Sequence, residues 1–255
     1  MPSNIPLQQL IDLTRTLAEP QNQYVIIGEG NTSLRIDEQS FYVKASGRGM
    51  SMIDETGFVG VYFDPILKAL SAGDTQALQA AVMDARVDMN NPLRPSIETI
   101  FHAFLLADFG VNCIAHTHPV SVNRILCSPR AEDFANHRLF PDEAVLCGPK
   151  SVFVPYVDPG LPLALTIRER THAYREKFGE APKVVLLANH GLIVLANTPT
   201  EALNITAMCA KAASIFLGAA TLGGPVFMSE EDVQHIYNRT DEIYRRKQFV
   251  GDSST

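Results

Sequence analysis

The sequence predicts an α/β domain in which one mixed or antiparallel sheet has helices packed on its faces. Three observations lead to this prediction. The chain has 255 residues, of which 46% are hydrophobic, so it can bury a large core. Segments with helical periodicity are interleaved with short β-rich segments, without a regular βαβ repeat. No stretch rich in Pro, Gly or Ser divides the chain, and we therefore assign residues 1–255 to a single domain.

Local patterns place the elements of the first half. Apolar residues recur near helical spacing from Leu7 to Leu17, which predicts a helix over residues 6–19. Three β-rich segments follow, each bounded by Gly, Asn, Asp or Ser, and two segments with helical periodicity come after them. The predicted strands are 24–27, 32–36 and 40–44, and the predicted helices are 65–71 and 75–86.

The second half begins with a helix from about Ser96, the predicted N-cap, to Asp108. A strand over 112–118 and a helix starting near Pro119 follow. The remaining predictions are strands at 144–147, 151–154, 183–188 and 192–196, and helices at about 199–220 and 229–246. The last five residues, GDSST, are expected to be frayed.

Composition argues against several classes of function. The net charge of −7 disfavours charge-driven binding to nucleic acids or anionic membranes, so neither is expected as a partner. The first residues, MPSNIPLQQL, lack the pattern of a secretory signal. The four cysteines contain no C-x-x-C pair and are interpreted as reduced, mostly buried thiols of a cytoplasmic protein, with metal ligation as the minor alternative. The charged fraction of 19% is low and indicates additional buried surface, such as subunit contacts.

The segment with the most chemical information is His-Thr-His at 116–118. Residues two apart in a strand share a face, so His116 and His118 can bind one transition metal. Alternatively, one is a buried histidine and the other faces solvent. His190 follows an apolar strand and precedes a glycine, where its side chain can enter a cleft or simply cap a turn. Three imidazoles with one open position are the ligand set of a catalytic metal site.

Glu98 and His102 lie four residues apart and share a face of the predicted helix. They are either a weak surface pair, worth ~0.3–0.5 kcal/mol, or a general base near the metal with a supporting histidine. The sequence alone is compatible with both interpretations of this pair.

Two glycine-rich turns, GEGNTS at 28–33 and ASGRG at 45–49, present backbone N–H groups that can hold an anion. Lys44 and Arg48 can add positive charge to the second turn. The spacing fits neither a dinucleotide-binding fingerprint nor a P-loop. Taken alone, both segments are better explained as ordinary hairpin turns.

The order of these motifs resembles that of the class II aldolase/adducin family over about residues 6–220. The matching segments are GNTS at 30–33, ASG at 45–47, RPSIE at 94–98, HTH at 116–118 and NHG at 189–191. The GNTS, VKxSG and PSIET segments are also similar to the aldolase half of bifunctional sugar aldolase–dehydrogenases. The resemblance implies an αβα three-layer sandwich with a mostly antiparallel sheet, a core over 6–220 and a C-terminal helix and tail over 221–255. It also implies a homotetramer with its sites at subunit contacts.

The resemblance assigns roles to individual residues. It makes His116, His118 and His190 the ligands of Zn²⁺, with Mn²⁺, Co²⁺ or another divalent ion as alternatives because imidazoles accept several metals. Glu98 would be the catalytic acid/base. The residues expected to bind the substrate, including a phosphate group, are Asn31, Ser46, Gly47, Ser96, Lys44 and Arg48.

The reaction expected from this resemblance is the reversible cleavage of a ketose or ketose phosphate by a metal-dependent aldolase, through an enediolate. Decarboxylation of a β-keto acid on the same site is the alternative. A sugar-phosphate 4-epimerase and a non-catalytic adducin-like module are less favoured.

Two departures from the fuculose-phosphate aldolase pattern concern the phosphate site and the proton donor. Ile97 replaces a second phosphate-binding serine, and the segment at 140–143 reads FPDE where a proton-donating tyrosine is expected. The missing tyrosine, together with Arg48, favours the decarboxylase slightly. By analogy alone, Tyr237 and Tyr244 are candidates to reach the site of a neighbouring subunit.

Overall fold

A computed structural model describes residues 5–249, and within them it contains one seven-stranded sheet. The strands are β1 (Asn31–Arg35), β2 (Ser40–Lys44), β3 (Phe58–Tyr62), β4 (Cys113–Thr117), β5 (Val152–Val154), β6 (Val184–Leu187) and β7 (Gly191–Ala196). Their order across the sheet is β3-β2-β1-β4-β7-β6-β5. Neighbouring strands are antiparallel except for β5 and β6, which are parallel. The mixed, mostly antiparallel sheet is therefore confirmed.

Helices connect the strands and cover the sheet. They are α1 (Ile5–Leu17), α2 (Phe63–Ala72), α3 (Thr75–Asp84), α4 (Thr99–Phe109), α5 (Val120–Leu126), α6 (Ala131–Asn136), α7 (Pro141–Cys147), α8 (Leu161–Phe178), α9 (Pro199–Thr221), α10 (Glu230–Asn238) and α11 (Thr240–Phe249).

The sheet separates two hydrophobic cores because side chains along a strand alternate between its faces. In β7, Ile193 and Leu195 enter one core, whereas Leu192 and Val194 enter the other. Helices α2, α3, α4 and α8 close the first core, and α1, α5, α6, α7 and α9 close the second. This arrangement is the predicted three-layer αβα sandwich.

Several element predictions are wrong. Residues 24–27 form a loop rather than a strand, and residues 144–147 lie in α7, where Pro141 and two acidic residues of the first turn favour a helix. The sequence analysis missed β3, α6 and α8. The helix predicted over 229–246 is divided at Arg239, whose backbone is extended. The GDSST tail lies outside the described residues.

Helix α9 is the one helix among residues 5–249 that is long and apolar enough to cross a membrane. It packs against α1, α5 and α7 and against the sheet, and its buried side chains belong to the second core. Burial in this core accounts for its apolar composition.

The cysteines follow the sequence interpretation in their burial. Cys113, Cys147 and Cys209 are buried and free, whereas Cys127 is exposed. Burial raises the pKa of Cys209 to about 12, with a smaller contribution from the charge of Glu143. The buried thiols are therefore held in their neutral form.

Candidate metal and acid–base site

Two neighbouring segments of the sheet bring the predicted metal ligands together. His116 lies in β4, directly opposite Asn31 of β1. His118 follows the end of the same strand. His190 lies in the tight connection between β6 and β7, where Asn189 adopts a left-handed backbone conformation with φ of 55°. The cluster thus forms at the end of β4, with His190 contributed by the turn that leads into the neighbouring strand β7.

The three imidazole rings face one another edge to face. Their centroids are 4.8, 5.0 and 5.1 Å apart, and their candidate ligand atoms lie within 4.8 Å of one another. The Nε2 atoms of His116 and His118 are 3.1 Å apart. Two nitrogens bound to one tetrahedral zinc at ~2.0–2.1 Å would be roughly 3.3–3.4 Å apart. The donor set and its spacing therefore fit a divalent metal ion.

The hydrogen bond of His116 and the burial of His118 each leave a ring nitrogen available to a metal ion. The Nδ1–H of His116 donates to the Leu192 carbonyl at 3.0 Å, which leaves Nε2 free to face the cluster. Burial, followed by the charges of His116 and His190, lowers the pKa of His118 to about 3. A neutral imidazole is the form that binds a metal.

Two glycines make room for this arrangement. A Cβ atom on Gly191 would lie 2.6 Å from Cδ2 of His118 and 2.7 Å from the Thr117 carbonyl oxygen. Gly30 has a φ of +73°, and a Cβ atom there would lie 2.7 Å from the His116 carbonyl oxygen. The glycines after His190 and before Asn31 are therefore required for close approach of the chain to the histidines.

The carboxylate of Glu98 faces the histidine cluster. Its Oε1 atom lies 3.5 Å from Nε2 of His116 and 3.4 Å from Nε2 of His190. Its Oε2 atom accepts a hydrogen bond from Nδ2 of Asn31 at 2.6 Å. Burial alone would raise the pKa of Glu98, but His116 first, and then the hydrogen bonds from His190 and Asn31, hold it well below its usual range. Glu98 is thus an oriented carboxylate beside the candidate metal position.

A chain of buried hydrogen bonds orients Asn31. Because its Nδ2 donates to Glu98, its Oδ1 accepts from Nε2–H of His102 at 2.5 Å, and Nδ1 of His102 accepts from the Ser33 hydroxyl at 2.6 Å. Burial, and then the charge of His116, lowers the pKa of His102 to about 3, consistent with this neutral tautomer. Glu98 and His102 are therefore not a surface pair, because His102 is fully buried and supports Glu98 through Asn31.

The residues expected to bind an anion fall into two groups. Asn31 and Ser96 lie beside Glu98, since Nδ2 of Asn31 also approaches the Ser96 hydroxyl at 3.4 Å. Ser96 is not the N-cap, because α4 begins at Thr99 and Glu98 precedes it, with its N–H donating to the Ser96 hydroxyl at 3.3 Å.

The second group lies on the turn at 45–48. Ser46, Gly47 and Arg48 are exposed, whereas Lys44 is buried and its Nζ donates to the Arg48 carbonyl at 2.6 Å. Burial lowers the pKa of Lys44, and the charge of Glu98 opposes this shift. The buried Lys44 side chain therefore stabilises the turn through its hydrogen bond to the main chain. The Ser46 N–H donates to the Arg94 carbonyl at 2.8 Å, which joins the turn to the segment carrying Ser96.

Some supporting residues could not be found from the sequence. Asn123 donates to the His190 carbonyl at 3.0 Å, and neither this contact nor the one to the Leu192 carbonyl leaves a motif. Ser33 lies within GNTS and could have been noted. Tyr237 is buried and donates to Glu180 at 2.9 Å, so the expectation that it reaches another subunit is wrong. The same expectation for Tyr244, which is exposed, stays a prediction.

Comparison with known proteins identifies the family of this chain. Residues 8–217 match the family described as Class II Aldolase and Adducin N-terminal domain. The uncharacterized oxidoreductase YuxG of Bacillus subtilis is 30% identical over 186 residues, which are 67% of this chain and 24% of YuxG. This chain therefore corresponds to about a quarter of that relative.

Two further comparisons cover nearly the whole chain. The 3-oxo-tetronate 4-phosphate decarboxylase of Haemophilus influenzae is 23% identical over 234 residues, which are 90% of this chain and 95% of the enzyme. The solved structure of an L-fuculose 1-phosphate aldolase superposes with a TM-score of 0.64 at 20% identity, covering 93% of this chain and 96% of the other, and shows that the fold is shared. The chain belongs to the class II aldolase and adducin family.

Proposed function

We propose that this protein is a metal-dependent lyase, and specifically an aldolase that cleaves a ketose or ketose phosphate reversibly. The observation that carries this proposal is the position of Glu98. Its carboxylate lies 3.4–3.5 Å from two of three clustered imidazoles, so an acid/base group adjoins a metal position. This combination suits proton transfer at a carbon next to a carbonyl group.

The proposed metal ligands are His116, His118 and His190, and Zn²⁺ is the ion proposed, with Mn²⁺ and Co²⁺ as alternatives. A divalent ion held there supplies a Lewis acid that stabilises negative charge on the carbonyl oxygen of the substrate.

Glu98 carries the proton step. As the hydroxyl proton of the carbon that becomes the aldehyde passes to solvent, the carbon–carbon bond breaks, the aldehyde leaves, and an electron pair stays on the carbon next to the carbonyl, delocalised as an enediolate. Glu98, after taking up a proton from solvent, gives it to that carbon, and in the condensation direction the carboxylate removes it again. Asn31 holds Oε2, which leaves Oε1 directed toward the histidines and the reacting carbon.

The anionic end of the substrate is proposed to bind at the 45–48 turn and beside Ser96. The exposed Ser46, Gly47 and Arg48 offer a hydroxyl, a backbone N–H and a guanidinium, while the buried Lys44 adds positive charge behind the turn. Asn31 and Ser96 lie between this turn and Glu98.

Decarboxylation of a β-keto acid on the same site is the second candidate. It is favoured by the near full-length similarity to a 3-oxo-tetronate 4-phosphate decarboxylase. It is also favoured by the FPDE segment at 140–143, which begins with Phe140 rather than a tyrosine. In this reaction carbon dioxide leaves, the electron pair stays on the α-carbon, and Glu98 again supplies the proton.

The two reactions are separated by proton exchange in heavy water. Zinc-loaded protein is incubated with dihydroxyacetone phosphate, and incorporation of deuterium is followed by NMR. An aldolase exchanges one proton stereospecifically, and Glu98→Gln lowers that rate by about 10²–10⁴-fold while zinc stays bound. Near-normal exchange in Glu98→Gln would contradict the role of Glu98. No exchange, together with carbon dioxide release from β-keto acids, would favour the decarboxylase.

We also propose a homotetramer with its sites at subunit contacts, in the cytoplasm. The support is the low charged fraction of 19% and two strongly exposed apolar side chains near the glycine-rich loops, Ile27 and Met52. Sedimentation at several protein concentrations tests the assembly, and a monomer at all concentrations would contradict it.

A further inference from the structure

The Nδ1 atoms of His116 and His118 have different kinds of neighbour. Nδ1 of His116 donates to a main-chain carbonyl, that of Leu192. In His118 it is again Nε2 that faces the cluster, so Nδ1 points away from it. The group facing this nitrogen is a side chain, the carboxylate of Glu29, with Oε2 3.7 Å from Nδ1. No step proposed above uses Glu29.

The loop around Glu29 is fixed on both sides. Ahead of it, the His118 N–H donates to the Tyr24 carbonyl at 2.8 Å. After it, Gly30 packs closely on the His116 carbonyl. The second carboxylate oxygen of Glu29 accepts the Ile26 N–H at 2.7 Å, which sets the orientation of the carboxylate. These contacts direct the Oε2 atom toward His118.

We propose that Glu29 is a positioning residue for the metal site. In the metal-bound protein Glu29 accepts the Nδ1–H of His118, a contact that must shorten from the 3.7 Å seen here to hydrogen-bond distance, and it thereby keeps Nε2 of that ring unprotonated and directed toward the ion. Oε2 of Glu29 faces Nδ1 of His118, whereas Nε2 of the same ring faces the cluster, so Glu29 acts through His118 and not as a ligand of the ion. The inference rests on the proposed function in one respect, namely that a divalent ion occupies the cluster.

The test measures affinity for Zn²⁺ by competition with a chromophoric chelator. Glu29→Ala should bind Zn²⁺ about 10–100-fold more weakly than wild type, the usual cost of losing a carboxylate behind a metal-binding histidine. Glu29→Gln should recover most of this loss, because its amide oxygen can still accept the Nδ1–H while the exposed Ile26 N–H turns to water. The visible spectrum of the Co²⁺-loaded Ala variant should also change, because the His118 ring is less restrained.

Asp37 provides a matched control. It is a loop carboxylate that accepts backbone N–H groups of Gln39 and Ser40, each at 2.8 Å, and among the described residues it contacts no histidine. Asp37→Ala should therefore leave Zn²⁺ affinity unchanged. Melting temperatures of the metal-free variants show whether the fold itself is affected.

Three results would overturn the inference. They are unchanged Zn²⁺ affinity in Glu29→Ala, an equal loss in Asp37→Ala, and a Gln variant as weak as the Ala variant. If wild type binds no Zn²⁺, Mn²⁺ or Co²⁺, the proposed function fails and this inference fails with it. If wild type binds metal and Glu29→Ala binds it equally well, only the inference is lost.

Discussion

His116 lies inside the sheet, whereas the turn from Ser46 to Arg48 lies on the surface. The histidine is fixed by strand pairing on both sides and by a main-chain hydrogen-bond partner, the Leu192 carbonyl. The turn is held by one buried side chain, Lys44, and presents its own side chains to solvent. The comparison teaches that the proposed metal side of the site depends on backbone geometry, while the proposed anion side depends on exchangeable side chains.

This difference predicts where substitutions act. Changes that disturb the backbone near the histidines should alter metal binding strongly. Changes on the turn should alter substrate affinity and leave the metal in place, because exposed side chains on loops tolerate replacement.

The largest effect that tests this comparison is expected from Gly191→Ala. The new methyl group would lie 2.6 Å from the His118 ring, so the ring or the β7 strand must shift. Zn²⁺ affinity should fall by about 10–100-fold, the range seen when the supports of metal ligands are altered. Chelator competition measures it.

Gly28→Ala is the matched control for this substitution. Gly28 lies in the glycine-rich turn at 28–33, and an added Cβ atom there meets nothing within 4 Å. Its Zn²⁺ affinity should equal that of wild type. If both variants bind Zn²⁺ normally, the metal side does not depend on backbone geometry as described.

The metal side was also the part that the sequence could predict. His116 and His118 are two apart in a strand, and this spacing alone places their rings on one face. The position of His190 beside them follows only from the order of several motifs, because no local pattern shows that β7 lies beside β4 and brings the β6–β7 turn close to His116. Topology of this kind depends on long-range packing.

Contacts that depend on rotamers or on the main chain could not be predicted. His102 was read as a possible partner of Glu98 through helical spacing, but the contact runs through Asn31 on another strand. Likewise, the segment 144–147 is apolar enough for a strand, and its helix is determined by the residues that precede it, beginning at Pro141.

An intermediate effect is expected from Ser33→Ala, which removes the last member of the hydrogen-bond chain behind Glu98. It leaves Nδ1 of the buried His102 without its partner, at a cost of ~1–3 kcal/mol in the free energy of unfolding. Denaturant titration measures this cost, and proton exchange should slow much less than in Glu98→Gln.

Ser71→Ala is the control, because that exposed hydroxyl bonds only within its own helix, to the Leu67 carbonyl. It should change neither stability nor exchange by a measurable amount. A Ser33→Ala variant as stable as Ser71→Ala would show that the chain behind Glu98 contributes nothing to its support.

The smallest effect is expected from Arg48→Ala. The Arg48 side chain is exposed, so its removal should leave the free energy of unfolding within about 0.5 kcal/mol of wild type. A charge-assisted hydrogen bond to an anionic substrate is worth ~1.5–3 kcal/mol, and its loss should raise KM by about tenfold or more. Zn²⁺ affinity should not change, because no metal ligand lies on this turn.

Lys44→Met should add a loss of stability to the loss of substrate affinity expected from Arg48→Ala, and the pair of variants therefore separates the two contributions. The buried ammonium group donates to the Arg48 carbonyl, so its loss should lower stability as well as substrate affinity.

If Arg48→Ala instead weakens Zn²⁺ binding, the proposed metal side and anion side of the site are coupled, and the expectation that they respond separately is wrong. If Arg48→Ala changes neither KM nor Zn²⁺ affinity, the anion binds elsewhere, and Ser96 and Asn31 beside Glu98 become the groups to test.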